Sequence, residues 1–333
     1  MKKSLFFIAA IILPLAITSC FLFPQKKSEK KIITIGFTYS GRYSEPYMSN
    51  YEEIQKAFSD TSKYRFIEYD AKCDLKEQIN HLYTFVQRKA DFIIIDPVNE
   101  HGLKYGIENC FNLDIPVIIC GNSVVLEPGH ENRIIYEVRP DFYKEADLAA
   151  RCLEIYEKGK VDVEILVLND FADTTSARER NRAIDEAMER NEGWKIISKR
   201  ETGGDYLTAK KLMEEAYQNC PGIDAVFVES ENDYQGVIDV LFKYGKMPGE
   251  DVLIFAFEDN DNLRKMILSG VLNFTVINER DAGEDITNVI NRITKGKSYK
   301  KINLSEANGL YSNKSIEEKV ISRENNILYR IFE

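Results

Sequence analysis

The sequence predicts an α/β protein whose parallel sheets are built in two halves, and three observations carry that prediction. From Lys31 onward, short runs rich in Ile and Val alternate with amphipathic stretches at helical spacing, as the crossovers between parallel strands require. The strand-like runs are too many for one comfortable doubly wound sheet. The pattern also restarts near Ile134: ADFIIIDPVN followed by PVIICGN in the first half is matched by DAVFVESEND followed by VLIFAFEDN in the second.

The first element is a leader. Lys2 and Lys3 precede an apolar run over residues 5–17, a charged region and a hydrophobic region too short to span a bilayer. Ile17-Thr18-Ser19-Cys20 resembles the lipobox cleaved by bacterial signal peptidase II, which implies removal of residues 1–19 and lipidation of Cys20. An ordinary signal peptide or an N-terminal anchor helix is the alternative. Residues 20–30, a short apolar foot and a charged spacer, are then a lipidated linker that holds the folded part off the membrane surface. The expected location is outside the cytoplasm, tethered at the cell surface or in the periplasm.

Strands are expected at 32–39, 64–70, 91–96, 116–121, 163–169, 195–201, 224–229, 252–258 and 274–278, with helices in the gaps. Leu75, Ile79, Leu82 and Val86 repeat at helical spacing, so one face of that helix packs on a sheet while Lys76, Glu77 and Gln87 face water. In open α/β sheets, ligands sit beyond the carboxyl ends of the strands. Each matched pair of runs ends there in a polar cluster, and two facing sheets would line one cleft with both clusters.

Composition narrows the partners. Hydrophobic residues make up 44% and charged residues 29%, a globular balance, and the formal net charge of −10 becomes two units more negative once Lys2 and Lys3 are removed. That argues against nucleic acid and anionic lipid as ligands. Cys73, Cys110, Cys120, Cys152 and Cys220 remain after Cys20; they show no C-x-x-C and no even framework, and read as small buried hydrophobes.

Enzyme signatures fail in turn. Gly296-Lys297-Ser298 ends like a Walker A motif, but Asn291 stands where its first glycine belongs. Gly36 and Gly41 do not make a dinucleotide fingerprint, and no G-x-S-x-G occurs. His81, His101 and His130 share no metal spacing. Asp259-x-Asp261 starts like a calcium loop, but Leu263 and Arg264 break it. Glu229 and Glu231 alternate at a strand end and so point apart, unlike a glycosidase pair. No enzyme activity, cofactor or metal is expected.

The remaining polar and aromatic residues at strand ends form a pattern. TTSARER (residues 174–180) behind VEILVLN, with GGDYLTAKKLM, FVESENDYQGVIDVL and IFAFEDNDNLRKMILSG, resembles the ribose-binding and galactofuranose-binding periplasmic proteins, in the same order and spacing from about Lys31 to near the C-terminus. The resemblance implies two Rossmann-like lobes joined by a three-crossing hinge, the type 1 periplasmic binding protein fold. The lobes would be residues 31–137 with 279–307, and 138–278 with 308–333.

Residue by residue, the resemblance places Arg178 at the sugar-binding arginine, Asn232 at an asparagine preceding an aspartate, Tyr206 at a stacking aromatic and Asn278 at a hinge amide. Glu258 and Asn99 stand where other polar ligand contacts are expected. The chemistry suits such a ligand, because a guanidinium and a carboxylate can each grip vicinal hydroxyls while tyrosine rings cover C–H faces. Tyr47 and Tyr39 are further ring candidates, with core or rim positions as the alternative. The loop SGRYSEPYM (residues 40–48) brings Arg42 and Glu45 as candidates to reach the ligand, or leaves them as solvated charges. Thr38, at the end of the first strand, is placed to donate to a hydroxyl.

The sequence thus predicts a solute-binding lipoprotein that captures a small sugar, a monosaccharide, between two lobes. It would act as a monomer and deliver its ligand to the permease and ATPase of an ABC importer. The alternatives are a ligand-binding subunit read by a chemoreceptor or sensor kinase, and a binder of a non-sugar small polar ligand.

Overall fold

The computed structural model describes residues 32–41, 45–130, 133–277, 281–305, 308–311, 322–323 and 326–330. Cys20, Arg42 and Asn278 lie outside them, as do the side chains of Glu45 and Tyr47.

Two sheets form. The first is all parallel, in the order β11-β5-β4-β3-β1-β2, from β1 (Ile33–Tyr39), β2 (Tyr64–Asp70), β3 (Phe92–Ile95), β4 (Val117–Cys120), β5 (Ile134–Pro140) and β11 (Ile302–Ser305). The second begins with five parallel strands, β7 (Trp194–Glu201), β6 (Val163–Asn169), β8 (Ala225–Val228), β9 (Leu253–Ala256) and β10 (Phe274–Ile277). Beyond β10, β12 (Asn308–Tyr311) runs antiparallel, followed by β14 (Asn326–Arg330) and β13 (Ser322–Arg323). All nine runs expected from the sequence are strands.

Helices cover both faces of each sheet because the strands bury both. In the first sheet, Ile35 and Phe37 pack with Ile54 of α1 (Glu45–Ala57) and Ile286 and Ile290 of α9 (Ala282–Thr294). Ile93 and Ile95 pack the other way, on Leu82 and Phe85 of α2 (Leu75–Gln87) and Ile107 of α3 (Lys104–Asn112). In the second sheet, Val167 and Phe227 face α4 (Phe142–Tyr156) and α5 (Thr175–Arg190), while Leu168 and Val228 face α6 (Tyr206–Asn219), α7 (Glu231–Lys243) and α8 (Asp261–Ser269). The α2 stripe is centred on Gln78, Leu82 and Phe85, so Leu75, Ile79 and Val86 are its half-buried margins.

The chain passes between the sheets three times: after β5, between β10 and α9, and between β11 and β12. It leaves the first sheet only after Pro140; the expected boundary at Glu137 falls inside β5. All five cysteines after Cys20 are free, and Cys110, Cys120 and Cys152 are buried.

Candidate ligand-binding site

The strand ends of both sheets converge on one cavity of about 320 Å³. Gly121 and Asn122 after β4, with Pro140 at the end of β5, contribute one wall. Asp170 after β6, Glu229 after β8 and Glu258 after β9 contribute the opposite one. Each helix that follows β6, β7, β8 and β9 starts at a side-chain cap, Thr174, Asp205, Ser230 or Asn260, which fixes the turn leaving the strand.

Arg180 organises the second wall. Its Nη1 donates to Glu229 Oε1 at 3.1 Å and its Nη2 to Glu145 Oε2 at 2.9 Å, while Phe142 and Phe257 lie 4.9 and 4.7 Å from the guanidinium carbon. All three charged groups are buried, so each ion is held by hydrogen bonds rather than by water. The other oxygen of Glu229 accepts the Asp170 amide at 2.8 Å, which ties the end of β8 to the end of β6.

Next to the first wall sits Asp96, which immediately follows β3. The buried Gln78 amide donates to its carbonyl and accepts from the Val98 amide, replacing the ladder bonds that end with the strand. The Asp96 carboxylate accepts from the Ser40 amide and hydroxyl. Gly121 adopts a φ of +72°, and a Cβ there would lie 2.6 Å from Asp96 Oδ1, so this position has no room for a side chain.

Burial dominates the acid–base behaviour. It pushes Asp96 up to about 6, against the opposing hydrogen bonds from Ser40. Burial also raises Glu145, although Arg180 pulls it back. Asp170 is raised well above the usual range, by burial and then by the carboxylates of Asp233, Glu229 and Glu258. An acid with a raised folded pKa contributes stability that is full below its unfolded pKa and is lost as pH rises through the folded value. Asp96→Asn is therefore expected to be about 1–3 kcal/mol more stable than the wild type near pH 8, and the gain should vanish near pH 4. Urea unfolding at the two pH values checks this; a gain that does not change with pH contradicts it.

The residues expected from the sequence are dispersed. Among those described, Glu258 lines the cavity. Thr38 is fully buried beneath α2, hydrogen-bonded to His81 at 3.0 Å, because even-numbered residues of β1 face that helix. Tyr39 is core, with ring contacts to Phe37 and Tyr51. Asn99 accepts the Gly102 amide in the turn beyond β3. Tyr206 donates to Asp239 on α7 and accepts from Lys210, and Asn232 donates to the Gly204 carbonyl from an exposed position. None of these five residues reaches the cavity wall.

Arg178 also leaves the cavity. It reaches to the loop after β3, where Nε and Nη2 donate to both oxygens of Glu100 at 3.1 and 2.9 Å. Thr175 Oγ1 donates to the same carboxylate at 2.5 Å and accepts the Ser123 amide at 2.8 Å. The Ser176 amide donates to Asn122 Oδ1 at 3.1 Å. The first turn of α5 is thereby clasped to loops of the other sheet. Burial alone would raise Glu100; Arg178 and Thr175 outweigh it and hold the carboxyl below its usual range.

Arg180, Glu145, Asp170, Phe142 and Phe257 were missed by sequence reading, yet a signal for Arg180 exists. With Thr174 as cap, the buried stripe of α5 runs through Ala177, Arg180, Ile184 and Ala187. That spacing puts Arg180 on the inner face and Arg178 about 200° away.

Comparison with known proteins agrees with this architecture. A family model described as periplasmic binding protein domain matches residues 35–298. Ribose import binding protein RbsB of Bacillus subtilis is 23% identical over 308 residues, covering 90% of this chain and 96% of that protein. A Mycobacterium smegmatis protein in complex with β-D-fucofuranose superposes with a TM-score of 0.77 at 22% identity, over 85% of this chain and 92% of its own. The binding component of the arabinose ABC transporter of Shewanella sp. ANA-3, bound to L-arabinofuranose, gives 0.76 at 22%, over 83% and 91%. Two helix-covered parallel sheets joined by three passages, and a family match across most of the chain, establish that this chain belongs to the periplasmic binding protein domain family.

Proposed function

We propose that the chain is an exported, lipid-anchored solute-binding protein that encloses one small sugar between its lobes and delivers it to an ABC importer. The observation that carries this reading is the cavity itself. It lies between the carboxyl ends of the parallel strands of two sheets and is lined by carboxylates, two guanidinium groups and two phenyl rings. Its volume of about 320 Å³ is at the small end of ligand pockets and suits one sugar ring. Carboxylates accept from vicinal hydroxyls, and the relatives named above include a ribose importer component and proteins bound to furanoses.

In this reading Asn122, Asp170, Glu229 and Glu258 contact the ligand. Arg42 and Asn278, outside the described residues, and Glu45 and Tyr47, whose side chains are, remain proposed contacts. The lobes, divided after Pro140 rather than after Glu137 and otherwise as expected, close by bending at the three passages, and the permease and ATPase recognise the closed monomer. Cys20 carries the lipid. No helix among the described residues is long and apolar enough to cross a membrane.

Native mass spectrometry of the protein extracted from membranes tests the reading. A chain that begins at a lipidated Cys20 and carries one polyhydroxylated small molecule is the expected result. Adding that molecule should raise the melting temperature by mass action. An intact leader, or no binding by any carbohydrate in a thermal-shift panel, overturns it.

A further inference from the structure

Among the described residues, the cavity wall carries more buried carboxylates than buried cations. Among those residues it brings together Glu145, Asp170, Glu229 and Glu258, each at most 8% exposed, against one buried guanidinium. That guanidinium, Arg180, is already divided between Glu145 and Glu229. The other cation on the wall, Arg264, is exposed and bound to Asp259.

Asp170 lines this cavity nine-tenths buried; no donor reaches its Oδ1 among the described residues, and its carboxyl shares a hydrogen bond with that of Asp233, which requires a proton between the two. Asp233 of α7, Glu229 at the end of β8 and Glu258 at the end of β9 surround it, and Arg180 of α5 stands beyond Glu229. A buried carboxylate in such company takes up either a proton or a cation. A neutral sugar satisfies hydrogen bonds there but supplies no positive charge.

We propose that the ligand is a cationic sugar, an amino or imino sugar, whose protonated amine is received by Asp170 beside Glu258. This rests on the sugar-binding reading above and narrows it. An ammonium brings three donors and no acceptor, which is the complement of a carboxylate cluster, and its hydrogen bonds are charge-assisted. Burial and the neighbouring carboxylates raise Asp170 and favour its protonated form before binding. The incoming ammonium replaces that proton: the carboxyl O–H loses H⁺ to solvent, the ammonium N–H donates to the resulting carboxylate, and no other bond changes. Arg180, on this account, positions Glu145 and Glu229 rather than gripping the sugar.

Titration calorimetry of the full chain tests this with matched pairs, glucosamine against glucose and galactosamine against galactose. Measurements at pH 7 in two buffers of different ionisation enthalpy count the protons released. One amine is expected to bind about ten- to hundredfold more tightly than its hydroxyl twin and to release a proton on binding. Asp170→Asn should erase the preference, and Glu258→Gln should reduce it, in variants whose circular dichroism matches the wild type. A hydroxyl twin that binds as tightly as its amine overturns the inference and leaves the sugar-binding reading standing. No binding by any of the four overturns both.

Discussion

Arg180→Ala is expected to lower the unfolding free energy by about 3–5 kcal/mol, the largest effect of any single substitution in the cavity wall. Glu145 and Glu229 are both buried and both bonded to this guanidinium, so its removal leaves two carboxylates facing each other without water or a counter-charge. The rings of Phe142 and Phe257 also lose the flat group between them. Lysine should not rescue, because one ammonium cannot present two parallel edges to two acids while lying between two rings. Adding Glu145→Gln to the alanine variant should recover part of the loss, since one of the stranded charges is then gone. Urea unfolding measures all four proteins. An alanine variant within about 0.5 kcal/mol of wild type would show that Arg180 is not held in this triad.

Arg178→Ala should weaken ligand binding five- to thirtyfold, about 1–2 kcal/mol, without touching a ligand contact. Its partner Glu100 is buried, but the arginine side chain itself is 54% exposed, so solvent screening discounts the pair below a fully buried one. What the clasp stabilises is the approach of α5 to the loops after β3 and β4. Its loss shifts the hinge equilibrium toward the open form, and affinity falls by the fraction of closed protein that is lost. A double-mutant cycle with Glu100→Gln separates this from direct contact. If the clasp operates, the two substitutions are strongly non-additive in binding and both expand the ligand-free protein in solution scattering. Additive effects on affinity with unchanged scattering would return Arg178 to the ligand.

The sheets were legible because Ile and Val runs, buried on both faces, leave a signal that no amphipathic helix imitates. FIII in β3 and VIIC in β4 are buried at every position. β5 was visible only as a restart of the pattern, since IIYEVRP alternates buried and half-buried positions. The last strands were not read at all. INLS, NGLY and SR have few branched apolar residues, and it is pairing with β5, β10 and β14 that makes them strands.

The site was legible as a place and much less so as a set of side chains. Strand ends could be found to within a residue or two, but a slip of one or two residues changes which way a side chain points. Arg178 and Arg180 occupy opposite faces of α5, and exposed Asn232 precedes fully buried Asp233. Asn99 lies in a turn three residues beyond Asp96, the acid at the strand end. Glu145 carries no local signal, because it reaches the cavity from α4, a helix whose place is set by packing on α5 and the second sheet.

A structure of the protein with its co-purified ligand tests the central claim most directly. The account predicts density for one sugar-sized molecule in the cavity between Asn122 and Glu258, within hydrogen-bond distance of Asp170 and Glu229, with Arg178 still on Glu100. Ligand density outside that cavity, or an Arg178 that has left Glu100 to hold the ligand, would contradict it.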